Sequence, residues 1–168
     1  SLLTPLADNG HVPGQSLLGQ IYGYAPYQEM QKAKHYLLSA ANAGNADAAW
    51  HIVLVFMEQL EAEEIIGGLD STEWHLLAVK LGSQEAKADF CGFFLYAESV
   101  RSPYEVTEEQ AFNWCEEAVK SGESLTYPGF EIFHLAQRYR YGNSTQINLY
   151  KAFATYKRLA LANLGSME

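Results

Sequence analysis

Apolar residues in this chain recur at the spacing of amphipathic helices, and the helices come in pairs. Ala33, Tyr36, Leu37, Ala40 and Ala41 line one face of a helix that ends near Gly44. After a turn at Gly44-Asn45, Ala48, Ile52, Val53 and Phe56 form the stripe of a second helix. Gly44 stands just past the last periodic residue, where a helix stop favours the left-handed conformation. Two short helices of this kind cannot bury their stripes alone, so each needs neighbours of the same sort.

The neighbours are present at a fixed period. Ala33, Tyr36, Ala40, Ala41 and Gly44 are matched in spacing by Ala111, Trp114, Ala118, Val119 and Gly122, and again by Ser71, Trp74, Ala78, Val79 and Gly82. The three glycines lie 38 and 40 residues apart, within the range of stacked helix pairs. Eight residues beyond each turn glycine the next stripe begins: Leu18-Gly19 with Tyr22, Ile52-Val53 with Phe56, and Phe90-Cys91 with Phe94. After Gly122 the register slips by five, to Leu135-Ala136 with Tyr139, and Ser124 to Pro128 reads as an inserted loop. Start signals agree with this division. Pro13 suits a first helical turn, Asp70 or Ser71 and Asn148 suit N-caps, and Thr107 with Gln110 forms a capping box. Pro26 breaks the chain between helices, and Glu58 to Ile66 is expected to prolong a helix that Gly67-Gly68 stops.

In this register the sequence resembles an array of Sel1-like repeats, the bacterial-rich relatives of tetratricopeptide repeats. The matching stretches are GQSLLGQIYG (14–23), QKAKHYLLSAANAG (31–44), QAFNWCEEAVKSG (110–122), LAQRYRYG (135–142) and YKAFATYKRLALANLG (150–165). Val53 and Cys91 depart from the helix-packing glycine of the pattern, and the last glycine comes two residues late. The resemblance implies an all-α, right-handed α/α superhelix of about four helix pairs in one array. The repeats are expected at 11–44, 45–82, 83–122 and 128–165, with 1–10 the remnant of a preceding helix. Tyr36, Trp74 and Trp114 are expected to fill the space between layers. Leu2, Leu3 and Leu6 at one end, and Leu159, Leu161 and Leu164 at the other, lead to the expectation that the array continues or that terminal repeats self-associate.

The resemblance also implies the kind of work. First helices of such arrays line a concave groove that takes a peptide or protein segment. By register the groove positions are Ser16, Gln20 and Tyr24; Trp50, Leu54, Met57 and Glu58; Ala88, Gly92, Leu95 and Tyr96; and Phe133, Gln137, Arg140 and Tyr141. Gln20, Tyr24, Trp50, Met57, Glu58, Tyr96, Gln137, Arg140 and Tyr141 are the expected partner-binding residues. The reading is a non-enzymatic scaffold or adaptor. The alternative is a small-ligand-binding or β-lactam-hydrolysing protein of the cysteine-rich repeat type, whose paired cysteines at helix turns this chain does not have.

Composition narrows the partners. A net charge of −9 repels phosphate backbones and no basic cluster offsets it, so nucleic acid is not expected. The longest apolar run is far too short to span a bilayer, and the compartment is left open. No serine precedes a lysine by three residues, and there is no H-E-x-x-H, P-loop, G-x-G-x-x-G or G-x-S-x-G. The five histidines are scattered one per helix or turn, so neither a metal nor a cofactor is expected. Glu58, Glu61, Glu63 and Glu64 make an acidic patch, which is ordinarily a solvated face. Cys91 and Cys115 belong to the two helices of one repeat. A disulfide would suit an oxidising compartment, but nothing in the sequence forces Cys115 toward Cys91, and two buried reduced thiols are the expectation.

Overall fold

The computed structural model describes residues 2–24, 26, 28–57, 65–96, 104–121, 128–143 and 145–165. They form nine helices: α1 (Leu3–Asp8), α2 (Val12–Gly23), α3 (Met30–Asn42), α4 (Ala46–Val55), α5 (Ser71–Leu81), α6 (Gln84–Tyr96), α7 (Glu108–Ser121), α8 (Pro128–Tyr141) and α9 (Leu149–Gly165). Among the described residues there is no strand, only an isolated antiparallel bridge between Ile66 and Leu69. The chain divides into two compact units, residues 1–86 and 87–168.

Three chain reversals in the first unit share one design. Gly10, Gly44 and Gly82 have φ of +86°, +87° and +106°, where a side chain would be strained. The amide after each glycine bonds back five residues: His11 to Leu6, Asn45 to Ala40 and Ser83 to Ala78, at 3.0–3.1 Å. These bonds satisfy carbonyls that the helix end leaves open. The same residue then caps the next helix. His11 Nδ1 accepts from the Gly14 amide (3.0 Å), Asn45 Oδ1 from Ala48 (2.7 Å) and Ser83 Oγ from Ala86 (3.1 Å). One glycine and one polar side chain thus end a helix and start another.

Close approach comes next. A Cβ added at Gly19 of α2 would lie 2.5 Å from the Leu37 side chain and 3.0 Å from its backbone nitrogen. One turn on, a Cβ at Gly23 would meet Val55 of α4 at 2.7 Å. The bare face of α2 therefore seats α3 and α4 together, and Leu37, Ala40, Ala48 and Ile52 are wholly buried there. Tyr36 is buried, as expected, and its hydroxyl donates to Asp8 Oδ1 at 2.7 Å. That bond and the lost solvent push the phenol up to about 12. Trp74 is 1% exposed, with its Nε1 donating to the Ile66 carbonyl at 2.7 Å. Residues 65 and 66 are not helical: α4 ends at Val55, and Ile66 pairs with Leu69 across Gly67-Gly68. Residues 58–64, where a longer helix was expected, lie outside the described residues.

The predicted caps form. Asp70 and Glu73 make a reciprocal capping box with both bonds at 2.8 Å. Thr107 and Gln110 make another, and Asn148 Oδ1 accepts from the Lys151 amide.

In the second unit one core gathers Ala88, Cys91, Phe112, Cys115, Ala118, Val119, Ile132, Leu135, Tyr139 and Ala152. Here the expectation of reduced thiols is overturned. Cys91 and Cys115, both buried, form a disulfide with their Cα atoms 4.7 Å apart. The register explains why. Cys91 follows its turn glycine by nine residues, as Gly19 does, and Cys115 follows Trp114 as Leu37 follows Tyr36. The Gly19–Leu37 contact of α2 on α3 becomes a covalent bond of α6 to α7. Trp114 is only half-buried, edge-on to Phe90 at 5.7 Å, so it is a weaker core residue than expected.

The disulfide closes a loop with a sequence separation of 24, and for such a loop the lost chain entropy of the unfolded state stabilises by about 3 kcal/mol. Dithiothreitol should lower the urea midpoint accordingly, and the double substitution Cys91→Ala, Cys115→Ala should reproduce that loss without reductant. Unfolding curves indifferent to both would show that the bond contributes nothing.

Candidate functional site

In the first unit, α1, α3 and α4 all pack on α2, and they cover more of it than helical register alone suggests. Ser16, placed in the groove by register, is buried, and its Oγ accepts from Gln20 Nε2 at 3.3 Å. Gln20 is half-buried. What α2 leaves open is a stripe of Leu17, Ile21 and Tyr24, 48%, 39% and 41% exposed. The sequence reading missed Leu17 and Ile21, although their four-residue spacing from Pro13 was a signal for one face.

On α4 the open stripe is Asp47, Leu54 and, just beyond the helix, Met57, with Trp50 and His51 half-buried. Leu54 is 39% and Met57 52% exposed. The Trp50 ring lies against His75 of α5 with centroids 4.9 Å apart, so it is less open than expected. Glu58 lies outside the described residues.

Tyr24 and His51 join the two stripes. The phenolic oxygen is 3.1 Å from His51 Nδ1, and the rings meet edge-on at 5.9 Å. The tautomer with Nδ1 bare lets Tyr24 donate. Burial raises the Tyr24 phenol and lowers His51, the latter opposed by the Asp47 and Glu85 carboxylates. The neutral pair is therefore the favoured one near neutrality.

In the second unit, Ala88 is buried in the core with Cys91 rather than open as expected, because a methyl there leaves no side chain to reach solvent once α6 is packed. The side chains of residues 92–96, Tyr96 among them, lie outside the described part. On α8, Phe133, Arg140 and Tyr141 are exposed and Gln137 is half-buried. The Arg140 guanidinium sits 5.2 Å from the Tyr141 ring centroid, and Phe133 packs edge-on to Tyr156 of α9 at 5.9 Å. Burial, then Arg138, lowers His134. Among the described residues no three His, Cys, Asp or Glu side chains converge as metal ligands. No described helix is long and apolar enough to cross a membrane.

No family model matches the sequence. Over 87 residues, 52% of this chain, it is 28% identical to DAP3-binding cell death enhancer 1 of Mus musculus, of which it spans 17%. A Sel1 repeat protein from Oxalobacter formigenes superposes over 95% of this chain and 44% of its own, with a TM-score of 0.65 and 23% identity. A protective antigen of uropathogenic Escherichia coli with an SLR fold superposes over 95% of this chain and 32% of its own, at 0.60 and 21%. The chain thus spans less than half the length of each of these proteins. Helix pairs reversed by glycine turns, with small residues at the crossings, and these superpositions lead to one conclusion: the chain has the Sel1-like repeat fold, an all-α solenoid.

Proposed function

We propose that the chain is a non-enzymatic protein-interaction scaffold that holds a peptide or protein segment on the open faces of its first helices. In the first unit those are α2 and α4; in the second, α8. One contrast carries the reading. The second helix α3 turns Gln31, Lys32, His35 and Asn42 to solvent, whereas α2 and α4 turn out Leu17, Ile21, Tyr24, Leu54 and Met57. A solvated surface needs no such residues, and aromatic, Met and aliphatic side chains grouped on neighbouring helices are what a docking face uses. Four repeats at the boundaries given above remain the proposed division of the array. The mouse relative is named for binding another protein, which fits this reading. Self-association is a second reading, favoured by Leu149, Tyr150, Phe153 and Leu161 of α9, all more than half exposed.

Leu54→Asp and Met57→Asp should abolish retention of partner from the native cell while shifting the thermal midpoint by no more than a degree or two. Trp74→Ala should do the reverse, costing roughly 3–5 kcal/mol as a core truncation. Charged substitutions that leave retention intact would sink the assignment of the face. Nitrocefin turnover by the purified chain would instead establish the β-lactam alternative.

Acid should weaken the first unit's face. His51 is held below its ordinary value in the folded state, so its contribution to stability is full above about pH 6.5 and is lost as pH falls through the lower folded value. Urea unfolding between pH 7.5 and 5 should show falling stability, with a shallower slope in His51→Gln. An NMR titration placing His51 at or above 6.5 would contradict this.

A further inference from the structure

The second unit holds a cavity of about 240 Å³ on the side away from the exposed residues of α8, where α7 and α9 lie over Leu135 and Tyr139. Its charges do not balance. Other described cations meet carboxylates of their own: Lys32 lies against Glu29, Lys87 against Glu117 and Arg138 against Glu108. Among the described residues, Lys120, Lys151 and Arg158 line this cavity with one carboxylate, that of Glu116. Lys151 Nζ is 2.8 Å from Glu116 Oε1 and Lys120 Nζ 3.2 Å from Oε2, while the Tyr139 hydroxyl also donates to Oε1. Burial alone would raise this carboxyl, but donation from Lys151, Tyr139 and Lys120 more than offsets it and holds Glu116 down to about 2. Glu116 is therefore a fixed anion. Arg158 donates Nη1 to the Val119 carbonyl, which brings its guanidinium to the residue before Lys120. Among the described residues Arg158 pairs with no carboxylate. Three positive charges against one leave an excess of two, in a chain whose net charge is −9.

We infer that this cavity binds a small phosphate, free or as the head of a compact monoester. Arginine's planar fork suits tetrahedral oxyanions, and each ammonium keeps hydrogens beyond those it gives Glu116. A phosphate group carries about −1.5 to −2 at neutral pH, which matches the excess of two, whereas a carboxylate would neutralise only half of it. The volume falls just under the usual range for small-molecule sites, about 300–1,000 Å³, so the ligand is small. Val119, Leu135 and Ala154 wall the cavity with apolar surface and Tyr150 stands at its edge, leaving room for a short organic body.

Isothermal titration and amide chemical shifts of the full chain with inorganic phosphate, phenyl phosphate and acetate, at constant ionic strength in chloride, test this. Phosphate should saturate the shifts of residues 116–120 and 150–158, and acetate should bind at least tenfold more weakly. Tighter binding of phenyl phosphate would identify an organic monoester as the source; equal binding would identify the free ion. Arg158→Gln and Lys120→Gln should each weaken phosphate at least fivefold, and the Lys120 side chain is 65% exposed, so its loss leaves the fold intact. Glu116→Gln should tighten binding severalfold, because it removes the competing anion and keeps an oxygen for Tyr139. A cluster that only ties α7 to α9 would show no such gain. Shifts that do not saturate, acetate equal to phosphate, or Lys120→Gln without effect would overturn the proposal.

Discussion

A solenoid of short helices depends on reversing the chain without spending residues on loops. The turns at Gly10-His11, Gly44-Asn45 and Gly82-Ser83 do this in two or three residues, the glycine supplying positive φ and its successor the cap. An alanine in place of such a glycine would force the left-handed region at a cost of about 1–2 kcal/mol, and loss of the cap would cost about 1 kcal/mol more. The constraint reaches further than its energy. With so short a connection, the residues eight and nine past the glycine have nowhere to lie but against the preceding helices. That is why Leu18-Gly19, Ile52-Val53 and Phe90-Cys91 occupy equivalent places, and why a fixed period is visible at all.

At the ninth position the chain has used different chemistry for one task. Gly19 lets α3 approach until the Leu37 side chain fills the place of a Cβ. Cys91 holds α7 by a bond. Close packing depends on a surface without protrusion and fails with one added methyl. A disulfide also demands close approach, with the Cα atoms here 4.7 Å apart, but it stabilises by restricting the unfolded chain as well. The first unit thus rests on shape at this crossing and the second on a covalent link.

The turns, the caps at Asp70, Thr107 and Asn148, and the burial of Tyr36 and Trp74 were legible because each follows from local chemistry or from one helix's own period. The register places Cys91 and Cys115 where Gly19 and Leu37 stand, but that those two positions touch is a fact of the packed helices, so the disulfide does not follow from spacing alone. Other positions could not be read this way. Helical spacing places Ser16 and Ala88 on a face but does not say whether a neighbour covers it, and α1, α3 and α4 enclose most of α2. Trp50 is half-covered because His75, on a different helix, lies against it with the rings tilted. The cationic cavity escaped for the same reason. Glu116, Lys151 and Arg158 lie 35 and 42 residues apart in sequence, counted from Glu116, and no single-helix pattern joins them.

The first helices α2 and α4 carry two stripes, and only the inner one has to hold the fold. The outer one is free to change without disturbing the crossings at Gly19 and Gly23. Covering a large apolar side chain recovers about 1.5–3 kcal/mol, so partial burial of five such residues on α2 and α4 gives a gross gain comparable to the cost of association, about 4–15 kcal/mol. Under the proposed scaffold reading, those residues alone would make a weak docking face, and selectivity would have to come from polar groups beside them. In that reading Tyr24 and His51 would supply them. They stand where the two stripes meet, hydrogen-bonded to each other, and a ligand atom that replaces one member of the pair must satisfy the other.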